Sequence, residues 1–373
     1  MDLRALQKGD VLVLFGFAPY SQEAVLAHQA ARQADAQILA ICDSLLAPIA
    51  QQADATLLFG TDSPSFFPSL VAAQALVEVL LEQVLAKAGS RAVSAAWQGI
   101  MQSKGTAVAS QLAQYTERYF PRIWTELQGL ALGLELPFEE VFLWNCRGDL
   151  WAMAPDGCTT VQMPAQGEPR LVHNEDGDPG FAGYCGVAKF IPDSGMSFVS
   201  FLYPASLPGH SFAVTQAGLA MTVNNVRARH VTPGVPRMVL TRAMLDQPDL
   251  DQAVGILQDH PRSGAFHLSL AQRGDPRLLS VEFSAEAVSV QTIEQNHLHA
   301  NHAVHPSMQG FEQRITRSSE LRQERGDQLL AQAGAALDPL TVLADQHHAE
   351  FPIWRCDPKD SDAENTLATV DIQ

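Results

Sequence analysis

Short apolar runs alternate with helix-like stretches over the first ninety residues. Asp10-Val11-Leu12-Val13-Leu14-Phe15 is an apolar run of buried-strand length, broken by Gly16 to Ser21. Glu23 to Ala34 is alanine-rich and amphipathic and predicts a helix. Gln37 to Cys42 predicts a second buried strand, Ala55 to Phe59 a third, and Pro68 to Ala88 a long apolar helix. Strands alternating with helices imply a parallel sheet with crossover connections. In such sheets ligands bind at the carboxyl ends of the strands, which makes Ser21, Asp43 and Ser44 candidate polar contacts. The same residues serve equally well as helix caps and turn residues.

The pattern then changes twice. Ser90 to Ala96 has linker composition. Thr106 to Gln128 places Leu112, Tyr115, Tyr119, Ile123 and Leu127 three to four residues apart, a helical spacing that Pro121 must kink or divide. Leu134-Glu135-Leu136-Pro137 turns the chain ahead of Val141 to Leu150. Beyond Cys158, strand-like runs predominate: Leu171–Asn174, Ala188–Ile191, Met196–Leu202, Ser211–Thr215, Gly218–Val223, a hairpin over Arg277–Phe283 and Ala287–Ile293, and Thr366–Ile372. Helices are expected at Thr241–Leu245, Leu250–Asp259 and Ser319–Ala335. The organisation expected is therefore 1–90 as an α/β segment, 91–157 as a helical pro-segment and 158–373 as an antiparallel region covered by helices.

Composition narrows the function. A formal charge of −17 argues against nucleic acid or an anionic membrane as the main partner. No apolar run has membrane-spanning length, and Met1-Asp2-Leu3-Arg4 lacks the order of a signal peptide, so a cytoplasmic location is expected. The five cysteines, Cys42, Cys146, Cys158, Cys185 and Cys356, are scattered and fit reduced thiols better than a disulfide framework or a zinc pattern. Histidines gather at His297, His299, His302 and His305, with His347 and His348 later. That grouping invites a metal reading, but none is adopted and no cofactor is expected.

Asp156-Gly157-Cys158-Thr159-Thr160-Val161 carries the chemistry. Taken alone, a cysteine opening a strand is a small buried hydrophobe. If the Gly157–Cys158 bond is cut, however, Cys158 gains a free α-amine, and nucleophile and base then belong to one residue. A Cys158–His173 dyad is the other thiol reading.

Residues from about 95 onward resemble the acyl-coenzyme A:6-aminopenicillanic-acid acyltransferase family of N-terminal-nucleophile (Ntn) hydrolases. The resemblance rests on Leu127 to Gly133, Asn145-Cys146-Arg147, Gly157-Cys158-Thr159-Thr160, His173-Asn174-Glu175-Asp176, Gly218 to Asn224, His299-Ala300-Asn301-His302, and Ser318-Ser319 with Arg322. Residues 1 to about 88 resemble part of a sugar-isomerase (SIS) domain of RpiR-type regulators, through Lys8 to Leu12, Pro19-Tyr20-Ser21, Ile41 to Pro48 and Ser63 to Phe67. The implied fold class is α+β: an αββα Ntn-hydrolase sandwich preceded by a partial parallel-sheet segment.

The resemblance implies an autoprocessed amidohydrolase or acyltransferase that forms a thioester on Cys158 from a small N-acyl amide. It places an amine-orienting carboxylate at Asp176 and the oxyanion-side asparagine at Asn224, with Asn225 one residue away. Thr160 and Arg322 become candidate substrate contacts, Arg322 through its fork on a carboxylate. In the helical stretch Arg322 could equally form a surface ion pair with Glu320 or Glu324. A homo-oligomer is possible. The competing reading is a sugar-phosphate sensor using Ser21 and Ser44, without enzymatic activity.

Overall fold

The computed structural model describes residues 6–59, 94–151, 156–164, 169–192, 195–333, 337–357 and 359–373. The chain forms two compact units, Met1–Gln83 and Val84–Gln373.

In the first unit, β1 (Val11–Gly16), β2 (Gln37–Cys42) and β3 (Ala55–Leu58) pair in parallel in that order. Helix α1 (Gln22–Gln33) makes the first crossover and buries Ala31 with Leu12, Leu14, Ile38 and Ala40. The helix expected at Pro68–Ala88 lies outside the described residues.

The second unit opens with helices. The linker expected over 90–96 is already helical from Ser94, in α2 (Ser94–Met101). Pro121 divides the next helix as expected, giving α3 (Ala107–Tyr119) and α4 (Pro121–Leu134), because proline lacks the N–H needed inside a helix but suits its first turn. Helix α4 ends on Glu135 in the left-handed conformation, and α5 (Phe138–Asn145) and the single turn α6 (Arg147–Leu150) follow.

Two antiparallel sheets come next. One is β13-β4-β5-β14, from His297–His299, Asp156–Met163, Arg170–Gly177 and Asn365–Ile372. The other is β12-β11-β10-β9-β8-β7-β6, from Val288–Thr292, Asp275–Phe283, Ala265–Gln272, Leu219–Val226, Phe212–Thr215, Phe198–Leu202 and Gly186–Phe190. Strand β10 lies inside the larger sheet between β9 and β11. The sheets face each other: Thr160 on β4 reaches Asn224 on β9 at 2.7 Å, and Gln162 Nε2 donates to the Leu279 carbonyl at 3.4 Å.

Strand alternation sets what each face carries. Outward, Met221, Val223, Leu268 and Leu270 form one core with α7 (Arg237–Met244) and α8 (Leu250–Asp259). Val161, Val172 and Leu298 form another with α10 (Pro339–Leu343), next to α9 (Arg317–Ala333), which packs on β13. Inward, β4, β5, β9, β10 and β11 present Cys158, Thr160, His173, Glu175, Thr222, Asn224, His267, Ser269, Ser280 and Glu282, all buried. The space between the sheets is thus a polar layer inside an apolar shell. Helices α3 to α5 share the larger sheet's core through Leu112, Ile123, Leu127 and Phe142, so the expected pro-segment does not stand apart from the sheets.

Candidate active site

Cys158 is 2% exposed and points into the polar layer. Strands β4 and β5 pair it directly with Glu175, and its Sγ lies 3.6 Å from Glu175 Oε2. The same oxygen takes the Ser211 hydroxyl at 2.6 Å, and Oε1 takes the Tyr203 hydroxyl at 2.7 Å. His173 Nε2 lies 3.1 Å from Oε2, and His173 Nδ1 lies 2.7 Å from the Thr160 hydroxyl. Thr160 in turn lies 2.7 Å from Asn224 Oδ1. Burial lowers His173 to about 3, so the ring is neutral at physiological pH. A fully buried carboxylate is tolerated only when donors surround it, and Glu175 has them.

The backbone of Cys158 is clamped from the other side. Its N–H donates to Asn301 Oδ1 at 2.9 Å, and its carbonyl accepts from Arg322 Nη1 at 2.6 Å. Arg322 also donates to Thr159 Oγ1 at 2.8 Å, to Asn301 Oδ1 at 2.6 Å and to Ser318 Oγ at 3.1 Å. Asp176 pairs with Gly157 across the ladder, so its side chain lies on this opposite face. There Asp176 Oδ1 accepts from Thr366 at 2.6 Å, while Oδ2 is buried with no hydrogen-bond partner among the described residues.

The glycine ahead of Cys158 is crowded. A Cβ on Gly157 would collide with Glu364 Oε2 and meet Asp176 Cβ at 3.4 Å. Glu364 cannot swing away, because Arg227 and Arg355 each hold one of its oxygens at 3.1 Å. Gly157→Ala is therefore expected to cost about 1–3 kcal/mol of stability, read from thermal melts.

Burial raises Asp176 to about 6, against the attraction of Arg322. A carboxyl raised in the folded state binds its proton more tightly there than in the unfolded chain. The stability this contributes is present below about pH 4 and is lost as pH rises through about 6. In the Cys158→Ala chain, Asp176→Asn should thus add on the order of 3 kcal/mol at pH 7 and almost nothing at pH 4. Paired melts at the two pH values check this.

The structure brings Cys158, Thr160 and Asn224 into the one layer between the sheets and leaves Asp176 on the opposite face of its sheet. Asn224 Nδ2 donates to the His299 carbonyl at 3.0 Å, which leaves its second hydrogen for another acceptor. Asn225 faces away from this layer, its Oδ1 held by Arg237. Arg322 does not form the surface ion pair its helical stretch suggested: it is 1% exposed, and from α9, which packs on β13, its fork holds Cys158, Thr159 and Asn301.

Ser21 caps α1, accepting from Ala24 N at 3.3 Å, and Ser44 accepts from Leu46 N at 3.1 Å. Asp43 accepts from Tyr20 and Ala18. The clustered histidines are tied into side-chain hydrogen bonds. His299 lies 2.9 Å from Glu282, His302 2.7 Å from Ser319, His297 3.0 Å from Gln162, and His305 sits between Ser280 and Ser289. Among the described residues, the one group with metal-ligand atoms close together is Cys158, His173 and Glu175, within 4.8 Å of one another.

Sequence reasoning assigned no role to Glu175, Tyr203, Ser211 or Asn301. Pairing β4 against β5 would have found Glu175, which stands directly opposite the cysteine. Tyr203, Ser211 and Asn301 arrive from distant loops and strands and leave no local signal.

The fold and this site define a two-unit protein with a buried, clamped cysteine on an inner strand. The chain belongs to the acyl-coenzyme A:6-aminopenicillanic acid acyl-transferase family, whose model matches residues 164–373. The match begins beyond Cys158, so the cysteine's role rests on its surroundings. An SIS domain model matches residues 1–83. A curated relative, the β-alanyl-dopamine/carcinine hydrolase of Drosophila melanogaster, is 27% identical over 176 residues, covering 42% of this chain and 46% of that protein. The chain thus matches about half the length of that relative. Among solved structures, the sugar isomerase domain of an RpiR transcription factor from Sphaerobacter thermophilus is 27% identical, covering 21% of this chain and 44% of that chain at a TM-score of 0.20. No helix among the described residues is long and apolar enough to cross a membrane.

Proposed function

We propose that the chain is a cysteine Ntn amide hydrolase or acyltransferase with an αββα sandwich, matured by its own cleavage at Gly157–Cys158. The observation that carries this reading is the clamp on Cys158. After cleavage Cys158 becomes a chain terminus, and chain termini fray unless tied down. Asn301 and Arg322 hold its nitrogen and its carbonyl with buried side chains, so the new terminus stays in place.

The freed α-amine, with an ordinary pKa near ~8, then exchanges protons with the thiol at neutral pH. Asp176 supports the amine from the far face, where its Oδ2 has no hydrogen-bond partner among the described residues and gains a further cation to oppose. Asn224 offers its remaining amide hydrogen to the oxyanion, an interaction worth roughly 3 kcal/mol of barrier. Because α3 to α5 share a core with the sheets, the pieces 1–157 and 158–373 remain together.

The substrate class is a small N-acyl amide. The relative that acts on β-alanyl-dopamine and carcinine makes β-alanyl amides the first compounds to try. Hydrolysis is favoured over transfer, because water needs no second binding site. Incubating purified chain with β-alanyl amides and a series of N-acyl amines, and measuring released amine, tests the reading. Turnover that Cys158→Ala lacks supports it. A correctly cleaved chain that releases amine from none of them contradicts it.

A further inference from the structure

Self-cleavage has a requirement that later turnover does not. Before the Gly157–Cys158 bond opens, the Cys158 nitrogen is an amide, has no basic lone pair and donates to Asn301. The α-amine cannot deprotonate the thiol for the step that creates the α-amine. Glu175 Oε2 stands 3.6 Å from Cys158 Sγ, and His173 lies in the same 4.8 Å cluster. The His173 nitrogen on that side is turned onto Glu175 at 3.1 Å, and burial makes its ring a poor base.

We propose that Glu175 is the base for the first, intramolecular turnover. This rests on reading Cys158 as the self-cleaving nucleophile. Glu175 Oε2 takes the thiol proton. The thiolate attacks the Gly157 carbonyl carbon, forming the S–C bond and moving the C=O electron pair onto oxygen. When that intermediate collapses, the C–N bond breaks and the Glu175 carboxylic acid returns its proton to the leaving Cys158 nitrogen. The products are a Gly157 thioester on Cys158, a free α-amine and ionised Glu175. Water then opens the thioester, giving the Gly157 carboxyl and the Cys158 thiol.

The groups around the carboxylate suit this task. Tyr203 from the end of β7, Ser211 from the start of β8 and His173 from β5 hold it in place. Cys185 senses its charge and is pushed up to about 12, mainly by burial, so it stays a neutral thiol.

The test follows cleavage of pulse-labelled full-length chain, made by cell-free translation, across a pH series. Glu175→Gln should slow cleavage at pH 7 by about 10²-fold or more. Its residual rate should rise about tenfold per pH unit toward ordinary thiol ionisation near ~8.5. Tyr203→Phe and Ser211→Ala keep the carboxylate but remove a donor that stabilises its charge, so each should move the acid limb of the profile to higher pH. These two variants decide the matter if Glu175→Gln does not fold. Wild-type cleavage rates and pH profile in Glu175→Gln, or an acid limb unmoved in both donor variants, would overturn the role of Glu175 and leave Cys158 standing. A wild-type chain that never cleaves would instead remove the underlying reading.

Discussion

Cys158→Ala is expected to leave the chain in one piece and to lower amide turnover by about 10⁴-fold or more. In the proposed mechanism one atom carries both effects, because the same thiol would attack the Gly157 carbonyl once and substrate carbonyls afterwards. Stability should barely move. The thiol is small, its contact with Glu175 is a long one at 3.6 Å, and Tyr203 and Ser211 still satisfy the carboxylate. Melting temperature, intact mass and released amine together separate loss of chemistry from loss of fold. Cleavage or turnover that survives in this variant would remove Cys158 as the nucleophile.

The largest stability effect is expected at Arg322. Its guanidinium donates to Cys158, Thr159, Asn301 and Ser318 and stands near Asp176 and Glu364. Arg322→Met keeps the stem but strips the donors, leaving buried acceptors unpaired and Asp176 with one cation fewer. Removing one partner from such a network costs about 3–5 kcal/mol. Urea unfolding in the Cys158→Ala background, where both chains are uncut, measures the difference. Arg322→Lys should recover only part of it, because a single ammonium cannot span acceptors placed for a planar fork. A cost below about 1 kcal/mol would mean that the clamp is not what secures this strand.

The elements legible in the sequence were those whose side-chain pattern matched their surroundings. Gln37–Cys42 and Leu250–Asp259 fall where apolar runs and helical spacing put them, and Pro121 divides its helix where proline chemistry demands. Strand β10, Ala265–Gln272, was not expected because His267 and Ser269 interrupt its apolar positions. Those polar residues face a buried polar layer rather than solvent, with His267 stacked on His299 at a 3.4 Å centroid distance. A rule that assigns polar positions to water misreads a sheet whose inner face is polar. The short strand β13 was obscured in the same way, since its histidines suggested ligands rather than a strand paired with β4.

The site was legible in part for a related reason. Gly157–Cys158 stands out because a glycine before a strand cysteine is a local feature. Its supporting shell is not local. Arg322 reaches Cys158 from 164 residues away and Asn301 from 143. The helical stretch around Arg322 suggested a surface ion pair, whereas packing of α9 on β13 turned the guanidinium inward. Asp176 was identified as a residue but not as to its side of the sheet. Strand pairing places it beside Gly157 and gives the thiol face to Glu175.

Intact-mass analysis with N-terminal sequencing of purified wild-type chain tests the central claim most directly. Two associated pieces, one beginning at Cys158 and the other ending at Gly157, are the expected result, with the Cys158→Ala chain whole. A wild-type chain of full mass that carries its original N-terminus alone would contradict the account.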